Sequence, residues 1–132
     1  MAKASALKIG LFGIGLDTYW PQFEGLKERL EGYEKLAAIH PAVINAGLID
    51  TTDKAFEAGR LFRQQDVDIV FLYVSTYALS STVLPVVQKA KVPVIILNLA
   101  PAESIDYAVF NAMGNRTKMT GEWLAFCNAC PV

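Results

Sequence analysis

The fold of this chain is decided by residues 66–99, DVDIVFLYVSTYALSSTVLPVVQKAKVPVIILNL. The run Val67–Val74 is almost unbroken in apolar, β-branched and aromatic residues, which is typical of a strand covered on both faces. A helical segment follows, and Val92–Leu99 repeats the strand pattern. The order strand, helix, strand predicts two parallel strands joined by a right-handed helical crossover.

Similar patterns extend outward from this stretch. Glycine-flanked Leu7–Ile14 and apolar Ala42–Ile49 are predicted strands. An amphipathic first helix is predicted over Pro21–His40, and a second helix is opened by Asp50 and Thr51 or Thr52 and ends near Gln65. A third helix is predicted over Leu79–Ala90, although its Pro85 also allows a start nearer Leu84. A last helix is predicted over Met119–Ala129. Alternating strands and helices predict a single three-layer, flavodoxin-like (Rossmann-like) α/β domain over 1–132, with a parallel sheet of strand order 2-1-3-4.

Charged residues of the first helix are expected to face solvent. Its apolar positions recur at mainly helical spacing, and Glu31, Glu34 and Lys35 fall between them. His40, the only histidine, lies at the helix end, where a partial positive charge suits the dipole. We therefore expect a structural role for His40.

Composition narrows the class of protein. Apolar residues make up 53% of the 132 residues and charged residues 19%, which fits a sheet buried on both faces or a surface that meets another domain. The net charge of -1, without a basic run, predicts no nucleic acid partner. No stretch is long and apolar enough for a membrane span, and the first residues are too short and polar for a signal peptide, so we expect no membrane partner and a cytoplasmic protein.

A ligand site is predicted at the carboxyl ends of the strands, where doubly wound sheets bind their ligands. This edge gathers the loops 15–20, 75–79 and 98–105. In the first of these loops, Asp17 precedes Tyr19 and Trp20, and a sugar ring can stack on an aromatic side chain while a carboxylate accepts its hydroxyls. The alternative interpretation is that Asp17 or Thr18 caps the helix and Trp20 packs on its first turn.

Other polar features are less specific. Gly10, Gly13 and Gly15 give the order G-x-x-G-x-G, the reverse of the dinucleotide fingerprint and only weak evidence for a nucleotide. Hydroxyl residues between Ser75 and Thr82 are expected mostly to start and cap the third helix, which leaves Tyr77 at the cleft. Cys127 and Cys130 form one C-x-x-C motif, for which packing thiols, a redox pair or part of a zinc site are the open interpretations.

Two segments carry a family resemblance. The run YVSTYALSSTVLPVVQKAKVPVIILNL (residues 73–99) and the run TGEWLAFCNAC (residues 120–130) resemble the N-terminal domain of L-arabinose isomerase and L-fucose isomerase-like proteins. The resemblance covers nearly the whole chain. It implies that the chain is part of a longer, three-domain aldose–ketose isomerase that forms homo-oligomers and uses a divalent ion, commonly manganese.

The resemblance also implies which roles this chain has. The family's metal ligands, two glutamates and two histidines, lie downstream of the matching segment, so the chain is expected to hold no metal, no cofactor and no catalytic residue, and to be inactive without its missing C-terminal domains. The expected substrate-binding residues are Asp17, Tyr19, Trp20, Tyr77 and Asn115, the last in the loop 115–119.

A different class of function remains open. A stand-alone flavodoxin-like module would bind a sugar, a phosphate or a flavin, with the helix start after Ser75 offering backbone donors to an anion. The loop after the first strand lacks the Ser/Thr-rich cradle expected for a flavin phosphate. A phosphoacceptor domain is disfavoured, because the third strand ends in Val74, Ser75 and Thr76 without an acceptor aspartate.

Overall fold

The protein is a parallel sheet with helices on both faces. The computed structural model describes residues 6–23, 25–98, 104 and 107–112. The strands are β1 (Ile9–Ile14), β2 (Val43–Ile49), β3 (Ile69–Val74) and β4 (Val94–Leu97), and the helices are α1 (Leu26–Ala37), α2 (Thr52–Gln64), α3 (Ser80–Ala90) and α4 (Tyr107–Ala112). The strand order is β2-β1-β3-β4 and every pairing is parallel. The predicted flavodoxin-like fold with strand order 2-1-3-4 is confirmed.

The first helix begins later than predicted. Pro21 lies in a turn, and α1 starts at Leu26 after Gly25, whose φ of 76° is left-handed. A left-handed residue cannot continue an α-helix, so the helical spacing upstream of Gly25 does not form one continuous helix. A 3-10 turn over Asp17–Tyr19 occupies part of this segment instead.

The buried stripe of α1 also differs from the prediction. Leu26, Leu30 and Glu34 are its buried residues, and they follow one another at a spacing of four. Because residues at i, i+4 and i+8 share one helix face, Glu34 continues the apolar stripe toward the sheet, whereas Tyr33 is exposed. The expectation that Glu34 belongs to the solvated face is therefore wrong.

The other helices agree with the prediction more closely. Thr51 is the N-cap of α2, and its side chain accepts a hydrogen bond from the backbone amide of Lys54. α3 begins at Ser80, so Pro85 lies inside the helix and the alternative start near Leu84 is wrong. α4 was not predicted, and the predicted helix over Met119–Ala129 lies outside the described residues.

Alternating strand residues divide the core into two clusters. One cluster joins the sheet to α2 and α3 through residues such as Phe12, Phe62 and Val86. The other joins it to α1 through Leu11, Leu26, Leu30 and Tyr73, with Trp20 packed against it. The three layers predicted from the sequence are thus present.

A bulge in β2 sets the direction of its last residues. Leu11 pairs with Asn45 but Gly13 pairs with Leu48, so β2 holds one extra residue here. Gly47 has a φ of 82°, the left-handed conformation that such bulges use, and its amide donates to the Asn45 side chain. Beyond the bulge, Ile49 packs in the cluster under α2 and α3, so the next residue points to the opposite side of the sheet, the side of Trp20.

Candidate functional site

The carboxyl ends of three strands meet at one edge of the sheet. Ile14 pairs with Ile49 on one side and with Val74 on the other, so the loops after β1, β2 and β3 start level with each other. Backbone hydrogen bonds continue past the strands, from the Gly15 amide to the Ile49 carbonyl at 3.1 Å and from the Thr76 amide to the Ile14 carbonyl at 3.4 Å. We call this region the carboxyl-edge site; it comprises Gly15–Trp20, Asp50, Lys54 and Ser75–Tyr77.

A buried carboxylate ties two of these loops together. The indole Nε1–H of Trp20 donates a 2.8 Å hydrogen bond to Oδ2 of Asp50, and the Lys54 ammonium donates to Oδ1 at 2.5 Å. Asp50 is only 5% exposed, whereas Lys54 reaches it from the first turn of α2. Both carboxylate oxygens are therefore engaged, and Trp20 is held by a residue thirty positions away.

The same contacts keep Asp50 ionised. Burial raises the pKa of Asp50, but the hydrogen bonds from Lys54 and Trp20 outweigh that effect and leave the pKa below its usual value. A hydrogen bond to an ionised group is stronger than a neutral one, so the Trp20 contact is a firm anchor for its loop.

Glycine at position 15 lets the Trp20 ring lie on the backbone. A Cβ at Gly15 would be 2.9 Å from two carbons of the indole and 3.5 Å from the Thr76 hydroxyl oxygen. Any side chain here would displace the ring, so Gly15 is needed for the close approach. Trp20, Gly15 and Thr76 thus bring the loop after β1 against the loop after β3.

The predicted substrate residues fall into two groups. Asp17 is exposed at the start of the 3-10 turn, and Tyr77 is 58% exposed directly after Thr76. Trp20 and Tyr19 are half-buried; the Tyr19 ring packs edge-on against Phe23 at 6.1 Å, and the Trp20 indole N–H is bound to Asp50. Asp17 and Tyr77 therefore present exposed side chains at this edge, with the Asp17 carboxylate accepting a 3.4 Å hydrogen bond from the neighbouring Thr18 hydroxyl, while Tyr19 and Trp20 build its floor.

The remaining predicted binding residue, Asn115, lies outside the described residues. So do Cys127 and Cys130 and the predicted loop 115–119.

From the sequence, Asp50 was predicted only to open α2, and its hydrogen bond to Trp20 was not predicted. The helix cap is Thr51 instead, which leaves the Asp50 carboxylate free for Trp20 and Lys54. A signal was present: an acidic residue directly after a buried strand, with a lysine four positions later, is placed for an ion pair at the carboxyl edge. The aromatic partner could not be identified without the fold.

The hydroxyl groups directly after β3 form their hydrogen bonds at the sheet edge and not at the start of α3. The Ser75 hydroxyl donates to the Ile14 carbonyl, and the Thr76 hydroxyl donates to the Tyr77 carbonyl at 3.1 Å. At the start of α3, only the Thr82 hydroxyl among those described forms such a bond, donating to the Leu79 carbonyl at 2.8 Å, and the N-cap Leu79 has no side-chain cap. Ser80, Ser81 and Thr82 start α3, as expected, whereas the Ser75 hydroxyl joins β3 to β1 and the Thr76 hydroxyl bonds within its own loop, so these two hydroxyls do not cap the helix.

Two other kinds of feature are absent from the described ranges. Within residues 6–23, 25–98, 104 and 107–112, no three histidine, cysteine or acidic side chains cluster as metal ligands. None of the helices in those ranges has the length and apolar character needed to cross a membrane.

Comparison of the chain with protein-family models, with curated proteins and with solved structures found no match.

Proposed function

We propose that this chain is the N-terminal substrate-positioning and assembly domain of a metal-dependent aldose–ketose isomerase of the L-arabinose and L-fucose isomerase type. One observation supports it most directly: the Trp20–Asp50 hydrogen bond anchors the loop that carries exposed Asp17, and this loop lies beside the one that carries exposed Tyr77, where the Thr76 amide donates to the Ile14 carbonyl. The strand order reverses between β1 and β3, and ligands of doubly wound sheets bind outside that reversal.

The exposed side chains suit a polyhydroxylated ligand. The Asp17 carboxylate accepts hydrogen bonds from sugar hydroxyls, and the Tyr77 ring offers an apolar face to the C–H groups of the sugar with a phenol at its tip. Trp20 positions the loop from below. Because the indole is already bound and packed, its part in affinity is to hold Asp17 in place, which reduces the entropy lost when the sugar binds.

Catalysis is assigned to the rest of the protein. Moving hydrogen between the first two sugar carbons requires a base and a group that polarises the oxygens, which a divalent ion, expected to be manganese, would supply. Because the family that the chain resembles carries its metal ligands further along the sequence, we place the metal and the base in further C-terminal domains. We expect a cytoplasmic homo-oligomer in which this domain contributes one wall of the sugar pocket.

The test uses the intact protein encoded by the reading frame, assayed with manganese on L-arabinose and L-fucose. Asp17→Asn and Tyr77→Ala are expected to raise KM by about tenfold each, since each removes one contact to the sugar. Asp66→Asn and Tyr33→Ala are matched controls: Asp66 precedes β3 at the opposite edge, and Tyr33 is exposed on α1. Both controls should leave KM unchanged.

Two outcomes would overturn the proposal at different levels. An intact protein that isomerises neither sugar contradicts the isomerase; if the chain nevertheless binds a sugar or phosphate, the stand-alone binding module is favoured. An active isomerase whose KM is unaffected by Asp17→Asn and Tyr77→Ala contradicts the pocket assignment alone.

A further inference from the structure

An open, concave surface lies between the C-terminal halves of α2 and α3. Its volume is about 310 Å³, at the lower end of the range of small-ligand pockets, and it is lined by Arg60, Arg63, Gln64, Gln88, Lys89 and Lys91. We call it the α2–α3 groove. Both helices start beside the carboxyl edge and end beside the amino ends of the next strands, so the groove lies at the opposite end of the domain from the carboxyl-edge site.

The charged residues that line the groove are all positive. Four of its six lining residues are cations and none is acidic. Their side chains form no hydrogen bond or ion pair with any described residue, whereas Lys27 pairs with Glu31 and Lys54 with Asp50. Each helix end contributes roughly half a negative charge, so the two helix ends together offset about one of the four cations. The helix dipoles therefore account for only part of this cluster.

The backbone holds these cations together despite their repulsion. A Cβ at Gly59 would be 2.9 Å from both the Pro85 carbonyl oxygen and the Lys89 Cβ, so α2 and α3 touch here with no side chain between them. This contact places Lys89 directly against α2, one residue from Arg60. The helix backbones that carry these cations are thus fixed in advance, which removes part of the entropy cost of binding a ligand.

Lys91 adds a second constraint. It ends α3 with a φ of 55°, a left-handed conformation that glycine or asparagine usually provides. A lysine there costs stability relative to glycine, yet its side chain supplies the fourth cation of the groove. Lys91 thus adds a positive charge to the groove at a cost in stability.

We propose that the α2–α3 groove binds a small polyanion carrying two or more phosphate groups. Arg60 and Arg63 offer planar guanidinium donors that fit phosphate oxygens in pairs, and Lys89 and Lys91 add point charges. The chain has a net charge of -1, and these cations share one short groove rather than a stripe, which favours a small ligand over a nucleic acid. This site is independent of the sugar proposal, because it lies at the other end of the domain.

The test measures binding of inorganic tripolyphosphate to the full chain by calorimetry at about 0.15 M salt. We expect binding to the unaltered chain and a rise in its melting temperature with ligand. The double variant Arg60→Gln/Arg63→Gln should weaken binding by about tenfold or more. The charge-matched control Lys27→Gln/Lys35→Gln, on α1, should change it by less than about twofold.

Lys91→Gly separates binding from folding. Glycine suits the left-handed conformation, so this variant should melt at a higher temperature than the unaltered chain and still bind tripolyphosphate more weakly. An equal loss of tripolyphosphate affinity in the groove and control variants would overturn the proposal. Tripolyphosphate binding by Lys91→Gly as tight as that of the unaltered chain would overturn it too. Tighter binding of a short single-stranded oligonucleotide than of tripolyphosphate would overturn it in favour of a nucleic acid surface.

Discussion

The two faces of the sheet are closed by different means. On the face covered by α2 and α3, the core is apolar and closely fitted: the Phe12 and Phe62 rings lie 6.2 Å apart, and a Cβ at Gly10 would be 3.0 Å from the Phe62 ring. On the face covered by α1, Leu26 and Leu30 share the buried stripe with Glu34, which is 2% exposed. The stability of the face covered by α2 and α3 thus depends on close packing, and that of the face covered by α1 depends on the protonation state of Glu34.

The electrostatics of the α1 face follow from Glu34. Burial and the neighbouring Glu31 raise the pKa of Glu34 to about 7, against smaller opposing effects of Asn45 and Lys35. Its Oε1 has no hydrogen-bond partner among the described residues. Burial also raises the pKa of Tyr73 to about 12, with Tyr33 and Glu34 adding to the effect. A neutral Glu34 is therefore the state that this face accommodates best.

The largest effect is expected from truncating the ring at the centre of the fitted face. Phe62→Ala should lower the free energy of unfolding by about 3–5 kcal/mol, because it removes a fully buried ring between Gly10 and Phe12. Phe56→Ala is the matched control on the same helix; Phe56 is 45% exposed, and its loss should be below about 1.5 kcal/mol. Urea unfolding measures both, and equal losses would mean that the fit around Phe62 contributes nothing.

The second prediction concerns the pH dependence of the α1 face. Glu34 binds its proton more tightly in the folded chain, so between pH 4.5 and about 7 the folded state holds more protons and stability must fall as pH rises. A shift from 4.5 to about 7 corresponds to a loss of about 3 kcal/mol, complete above pH 7. Asp50 does not interfere, since its lowered pKa affects stability only near and below pH 3.8.

Glu34→Gln should abolish this slope. Glutamine resembles the protonated acid in size and polarity but does not ionise, so the variant should be more stable than the unaltered chain at about pH 8 and lose that advantage near pH 4.5. Urea unfolding across this range gives both curves. The same slope in both proteins would show that Glu34 is not the titrating group.

The contrast between the faces also shows what a sequence can predict. The strands, their order and the parallel sheet follow from long apolar runs such as Val67–Val74, because those patterns are local. The role of Asp50 depends on its contact with Trp20, thirty positions away, which local spacing does not reveal. The later start of α1 follows from the left-handed conformation of Gly25, which the spacing of apolar residues does not show either.

The buried acid and the two exposed candidate residues illustrate the same limit. Glu34 lies one position from Tyr33, and helical spacing allows either to face the sheet; in the fold, Glu34 is buried there beside Gly13 and Tyr33 is exposed. At the candidate site, Asp17 and Tyr77 were predicted to lie together because doubly wound sheets bind their ligands at the carboxyl ends of the strands. Their neighbours Tyr19 and Trp20 share the same sequence pattern but are half-buried.

The third prediction tests the close contact of α2 with α3. Gly59→Ala gains helix propensity, but its Cβ would be 2.9 Å from the Pro85 carbonyl, a backbone atom that cannot rotate away. Because the two helices must separate, we expect a net loss of about 1–2 kcal/mol in the free energy of unfolding. A stabilised Gly59→Ala protein would show that this face is not closely fitted.

The smallest effect is expected from the same substitution on α1. A Cβ at Gly32 would meet nothing within 4 Å, so Gly32→Ala adds helix propensity without a clash and should raise the free energy of unfolding by about 0.5–1 kcal/mol. Urea unfolding at pH 4.5, where Glu34 is protonated, isolates this gain from the titration. A lower free energy of unfolding in Gly59→Ala together with a higher one in Gly32→Ala would show that steric fit outweighs helix propensity on the α2–α3 face but not on the α1 face. A loss in Gly32→Ala would instead mean that α1 is packed as closely at Gly32 as α2 is at Gly59.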